Sequence, residues 1–139
     1  MQLSNFTDYS IRVLLYLSFL TDDERVTITQ ISEYYKISNN HLVKVVYNLS
    51  KLGYIETKQG KSGGIKLKIA SKDINVGKLI RQVEQMELLN CQPSACKISQ
   101  FCLLKNYLLD AKEAFLKQLE QYTIDDLMVN ENLLKNRIR

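Results

Sequence analysis

Three cysteines in the pattern Cys91-x4-Cys96-x5-Cys102 are the residues of this chain best equipped for chemistry. They fall within twelve residues, with Pro93 between the first two, on a stretch without helical or strand periodicity, so the three thiols can converge on one point. A sulfur-only donor set favours zinc or an iron–sulfur cluster. Structural zinc is normally closed by four protein ligands, and neither a fourth Cys nor a nearby His exists here. An iron–sulfur cluster with one weaker, displaceable ligand fits the set better. A metal-free thiol switch and three unrelated cysteines are the alternatives. If Ser99 caps the helix that follows, Cys102 sits in its first turn, where the helix dipole favours the thiolate.

A second constellation lies upstream, in Ser38 to Leu52. Its apolar positions Leu42, Val45, Val46, Leu49 and Leu52 follow helical spacing, which leaves Asn39, Asn40, His41, Lys44, Asn48 and Lys51 on the outer face, with Ser38 as cap. Asn suits bidentate contact with adenine, and Lys reaches guanine or phosphate. Charge supports a polyanionic partner. Residues 36–72 hold eight lysines against the single acid Glu56, a local +7, while the whole chain is only +4, so the remainder is −3. The glycine-rich run Gln59-Gly60-Lys61-Ser62-Gly63-Gly64 would bring Lys61 and Ser62 to a phosphate backbone.

These groups need elements to position them. Phe6, Tyr9, Val13, Leu17 and Leu20 predict a first helix, and Thr27, Ile28, Ile31 and Tyr35 a short second one ending at Lys36-Ile37. The Ser38 to Leu52 helix is third and is stopped by Gly53. The period then drops to two: Tyr54 to Lys58 and Ile65 to Ile69 flank the glycine-rich run as a hairpin. Asn75 caps a fourth helix carrying Val76, Leu79, Ile80 and Val83. After the irregular Met86 to Phe101, a long helix is predicted from about Gln100 to Gln121 with Leu104, Tyr107, Leu108, Ala111, Phe115 and Leu119 in one stripe. The fold class is therefore mainly α with a small β-hairpin: a winged helix-turn-helix domain over 1–85, a cysteine-bearing loop over 86–102, and a dimerisation helix with its tail over 103–139.

Length and composition agree. At 139 residues, with 45% hydrophobic and 24% charged residues, the chain can bury one core and has no room for two catalytic domains. The odd cysteine count, a start without a basic segment leading into an apolar run, and apolar stretches well short of about 20 residues predict a cytoplasmic protein that neither spans nor binds a membrane. An enzyme is not expected, because no base, nucleophile and orienting group assemble around the single histidine.

The opening Met1-Gln2-Leu3 through Phe6-Thr7-Asp8-Tyr9, the Ser38 to Lys44 segment, the Gly60 to Ile65 wing and the three cysteines together resemble the Rrf-type winged-helix transcription repressors, and among them the nitric-oxide-sensing iron–sulfur branch. The resemblance covers nearly the whole chain. It implies a homodimer held by the long helices, binding a double-stranded DNA operator and releasing it when nitric oxide attacks the cluster. Cys91, Cys96 and Cys102 match the family's cluster ligands, and Asp8 matches a position from which a fourth, oxygen ligand can come from the other subunit. A carboxylate is a hard, weak partner for such a centre and so is readily displaced. Arg12, one turn after Asp8, is placed to hold that carboxylate. A sister group carries a histidine ligand three residues beyond the last cysteine; here that position is Lys105, which favours 4Fe-4S over a histidine-ligated 2Fe-2S centre. The competing readings are a thiol or redox-sensing repressor of the same fold without a cluster and, from a different class, an iron–sulfur carrier or electron-transfer module.

Overall fold

The computed structural model describes residues 1–128, so the last part of the predicted 103–139 region lies outside the described residues. Helix α1 spans Asn5–Ser18 and is capped by Ser4, whose hydroxyl accepts from the Thr7 N–H at 3.3 Å. Its buried face carries Val13, Leu14 and Leu17, and Phe6, Tyr9 and Leu20 pack at the core margin. Helix α2, Ile28–Tyr35, begins in a capping box: Thr27 Oγ1 accepts from the Gln30 N–H at 3.2 Å, while Gln30 Oε1 accepts from the Thr27 N–H at 2.8 Å. It ends at Lys36 with φ 56°, the only described non-glycine residue at positive φ.

Helix α3, Asn39–Lys51, is capped by Ser38 as predicted and buries Leu42, Val45, Val46 and Leu49. Gly53, at φ 85°, turns the chain into strand β1, Ile55–Lys58, which pairs antiparallel with β2, Gly64–Leu67. The hairpin is tied to the segment before α2 by a backbone bridge, Val26 N–H to Ile65 O at 3.1 Å and Ile65 N–H to Val26 O at 2.7 Å. The order is that of a winged helix-turn-helix, with α1, α3 and the hairpin sharing one core.

Helix α4, Val76–Val83, is capped by Asn75 and buries Val76, Gly77, Leu79 and Ile80. Helix α5, Leu103–Leu119, crosses it so closely that Gly77 lies under the α5 C-terminus. The two are clamped by Arg81, which pairs with Glu113 at 2.6 Å and Glu120 at 2.5 Å. Beyond α5 the chain returns along α4: the Val76 N–H donates to Tyr122 O and the Ile124 N–H to Ile74 O, both at 2.9 Å, and Ile124 is fully buried.

Helix α5 differs from the sequence expectation at both ends and in its stripe. It starts at Leu103 because Ser99 and Phe101 are held in tight turns, their N–H groups donating to Cys96 O and Ile98 O. Cys102 is therefore the cap residue itself, and Ser99, a buried side chain, does not cap the helix. Only Leu116 is fully buried, whereas Leu103, Leu104, Tyr107 and Leu109 stand exposed in the N-terminal half and Ala111 of the predicted stripe is exposed too. At 1.5 Å per residue the helix is about 26 Å long, and its bonds to α4 come from its C-terminal half, through Glu113 and the cap residue Glu120.

Candidate functional site

Asn39, Asn40, His41, Lys44 and Lys51 lie exposed along α3, and Asn48 is half-buried beside them. The Ser38 hydroxyl accepts from the His41 N–H at 3.3 Å, so it organises the first turn rather than pointing freely outward. His41 is not isolated: its ring lies 6.0 Å from that of Tyr9 on α1. Lys61 and Ser62 are exposed at the hairpin tip. The wing lysines are not equivalent, because Lys66 is engaged by Glu56 at 3.5 Å and by the Asp22 carbonyl at 3.1 Å, while Arg25 also pairs with Glu56 at 2.8 Å. Lys66 braces the wing base and leaves the tip to Lys61.

Sequence reasoning passed over two exposed apolar residues on the same helix, Val43 and Tyr47. Tyr47 is seven residues beyond Asn40 and four before Lys51, which puts it on the same outer face of the helix as those two. That spacing was the available signal.

Cys91, Cys96 and Cys102 are free and half-buried in the segment joining α4 to α5. Among the described residues no three Cys, His, Asp or Glu side chains converge closely enough to hold a metal, so this chain alone does not assemble the predicted site. The donor chemistry nevertheless fits an iron–sulfur group: all three thiols are free, and Cys102 is the cap residue of a helix whose first N–H groups receive no side-chain hydrogen bond. Cys91 also borders a cavity of about 700 Å³, whose wall includes Pro93, Ser99, Lys105 and Leu108.

Asp8 sits in the first turn of α1 with its carboxylate gripped by Arg12, Nη2 to Oδ2 and Nε to Oδ1 both at 2.9 Å. The bond to Asp8 raises the Arg12 pKa against a smaller effect of burial. The Arg12 guanidinium lies 5.7 Å above the Tyr35 ring, and Tyr35 donates its hydroxyl to Arg12 O at 3.2 Å. Burial, aided by Tyr34, pushes the Tyr35 phenol up to about 12, so it stays a donor at physiological pH. Asp8 is thus linked through Arg12 to α2 and through its neighbour Tyr9 to α3.

One further contact was invisible in the sequence. Glu84, immediately after α4 and at the start of the cysteine segment, directs Oε2 at the N-terminus of α1. It accepts from the Ser4 N–H and the Ser4 hydroxyl, both at 2.9 Å, and from the Thr7 hydroxyl at 2.5 Å. Burial opposes ionisation, but the hydrogen bonds from Thr7 and Ser4 together outweigh it and hold the Glu84 carboxyl below its ordinary range. No local motif announces a bond across 80 residues of chain.

A family model described as "Rrf2: Iron-dependent Transcriptional regulator" matches residues 3–130. Among curated relatives, the HTH-type transcriptional regulator NsrR of Halalkalibacterium halodurans is 45% identical over 139 residues, covering 97% of this chain and 95% of that one. NsrR of Bacillus licheniformis is 43% identical over 139 residues, covering 97% of each. Solved structures show the same fold: T. potens IscR has a TM-score of 0.75 at 21% identity, covering 94% of this chain and 88% of that one. Staphylococcus aureus CymR has a TM-score of 0.71 at 22% identity, covering 91% and 97%. The curated relatives are transcriptional regulators and not enzymes, in agreement with the sequence expectation. Among the described residues no helix is long and apolar enough to cross a membrane.

Proposed function

The chain belongs to the Rrf2 family of transcriptional regulators, and on that premise we propose that it is a cytoplasmic, homodimeric repressor that senses nitric oxide through an iron–sulfur cluster of the 4Fe-4S type. The observation that carries the proposal is the trio of free thiols at Cys91, Cys96 and Cys102, lying between head and long helix in a chain 45% identical to a regulator named NsrR. The division into a reading head over 1–85, a cluster loop over 86–102 and a dimerisation region over 103–139 is part of the same proposal. The cluster, when bound, supplies iron that nitric oxide can attack.

The chain's own residues do the rest. Cys91, Cys96 and Cys102 would hold the cluster as thiolates, Asp8 of the partner subunit would be its fourth, oxygen ligand, and Arg12 would position that carboxylate. Lys105, where a related group has histidine, supports the 4Fe-4S assignment. Exposed Leu103, Leu104, Tyr107 and Leu109 on the protruding half of α5 supply an apolar surface for the homodimer. Asn39, Asn40, His41, Lys44, Asn48 and Lys51 face the major groove of operator DNA, Ser38 orders their first turn, and Lys61 and Ser62 meet the backbone.

Transmission follows the contacts of α1. Glu84 joins the cysteine segment to Ser4 and Thr7, one residue before Asp8. Tyr9 leans on His41 of α3, and Arg12 on Tyr35 of α2. A change at the cysteine segment therefore reaches the reading helix through one rigid element. A shift of a few ångström in head spacing is enough, since half-sites are set by DNA pitch at about 34–36 Å per turn.

The test is anaerobic reconstitution followed by nitric oxide titration, with iron, sulfide, visible absorption and operator binding read in parallel. About four irons and four sulfides per chain, with operator release tracking nitrosylation, is the expected result. Protein that binds its operator without iron and releases it on thiol oxidation would instead establish the cluster-free switch.

A further inference from the structure

Helix α3 carries two side chains that a purely polar reading face does not need. Val43 is 50% exposed and Tyr47 is 64% exposed, on a helix whose remaining apolar residues are buried against α1 and the hairpin. An isolated exposed apolar residue is ordinary. These two are four residues apart, so they stand one above the other on the same side of the helix. Asn40, Lys44, Tyr47 and Lys51 follow one another at intervals of four, three and four, which runs a single line down the outer face. Val43 flanks that line on the side nearest Tyr47, and His41 and Asn48 flank it on the other. The face is thus divided lengthwise into an apolar edge and a hydrogen-bonding edge.

The Tyr47 ring is held in place, because the Lys51 ammonium lies 4.9 Å from its centroid. The pair presents an apolar plate next to a cation, in the most positive stretch of the chain. Within the major groove only one base edge offers an apolar group to such a plate, the C5-methyl of thymine.

We propose that Val43 and Tyr47 are specificity-determining residues that read thymine methyl groups beside the bases contacted by Asn40 and Lys44. This inference rests on the DNA-reading role of α3 and adds to it a base and an atom. Each methyl buried between Val43 and Tyr47 is worth one carbon removed from water, about 0.8 kcal/mol, or about fourfold in affinity. With two half-sites engaged, the effect compounds to about fifteenfold.

The experiment uses the full chain, reconstituted anaerobically, to select its preferred duplex from a random pool, and then replaces each thymine in that duplex by deoxyuridine, which removes the methyl and nothing else. Wild-type protein is expected to lose about fourfold per replaced thymine at one or two positions in each half-site. Tyr47→Ala and Val43→Ala are expected to bind the thymine and deoxyuridine duplexes alike at those positions, with an unchanged salt slope. Both side chains are exposed, and an unchanged melting temperature checks that the variants fold. Equal wild-type affinity for thymine and deoxyuridine throughout would overturn the proposal while leaving DNA reading by α3 intact, as would variants that keep the full methyl dependence. Failure to enrich any duplex would overturn the DNA-reading role itself, and the methyl readout with it.

Discussion

Replacing Gly77 by Ala tests the joint between the reading head and α5. A Cβ at residue 77 would lie 2.5 Å from the backbone N of Glu120 and 2.7 Å from the backbone O of Leu116. Neither atom can rotate away, so α5 would have to retreat by roughly 1 Å to restore ordinary contact. The substitution gains about 1 kcal/mol in helix propensity. Against this stand about 1–3 kcal/mol for overpacking and about 1 kcal/mol for each weakened bond across the joint, the first candidates being Asn75 Nδ2 to Glu120 O at 2.6 Å and Val76 N–H to Tyr122 O at 2.9 Å. The balance is a net loss of about 3 kcal/mol, or roughly 12 °C in melting temperature for a chain of this size. Calorimetry at fixed protomer concentration measures it, because the proposed homodimer would make the midpoint concentration-dependent. Gly53→Ala serves as the contrast: its Cβ meets nothing within 4 Å, but its φ of 85° is strained for alanine, so a loss of about 1–2 kcal/mol comes from backbone alone. A Gly77→Ala protein that melts at or above wild type would refute the close α4–α5 crossing.

Three further expectations follow from the contacts. Glu84→Gln should destabilise the protein at neutral pH; because the folded carboxyl lies below its ordinary value of 4.5, the deficit relative to wild type should be full above that value and disappear as pH falls through the lower folded value. Melting curves that diverge on acidification would contradict this. Leu104→Glu on the exposed half of α5 should shift sedimentation from dimer to monomer without unfolding the head, which far-ultraviolet circular dichroism would verify. Lys61→Ala should weaken binding to all duplexes and lower the salt slope by about two, one for each subunit of the proposed homodimer, whereas Asn40→Ala should relax sequence preference by about 1–3 kcal/mol at an adenine position. Equal behaviour of the two variants in salt and sequence would undo that separation of roles.

The winged head was largely legible because its signals are local. Ser38 and Asn75 cap the helices they precede, Gly53 takes the left-handed turn, and the Leu42, Val45, Val46, Leu49 stripe is the buried one. Helix α5 was less legible, because Ser99 looks like a cap in sequence but is buried in a turn, and because an apolar stripe does not reveal whether its own chain covers it. Among site residues, Asp8 and Arg12 were readable as an i, i+4 pair. Glu84 was not, since its partners lie at the far end of the chain, and an exposed Tyr47 has no polar signature in the sequence that sets it among the outward-facing residues.

The bridge between Val26 and Ile65 bears on how such a reader can diversify. Ile65 is anchored next to the residue that caps α2, and Gly64 is pressed against the Val26 carbonyl, 2.7 Å from where a Cβ would stand. The base of the wing and the entry to the helix-turn-helix are therefore one mechanical part, while Gln59 to Ser62 overhang it as an exposed tip. Tip length and charge can therefore vary without disturbing how α3 is set in the head. On the proposed function, grip on the phosphate backbone can thus be retuned separately from the bases recognised.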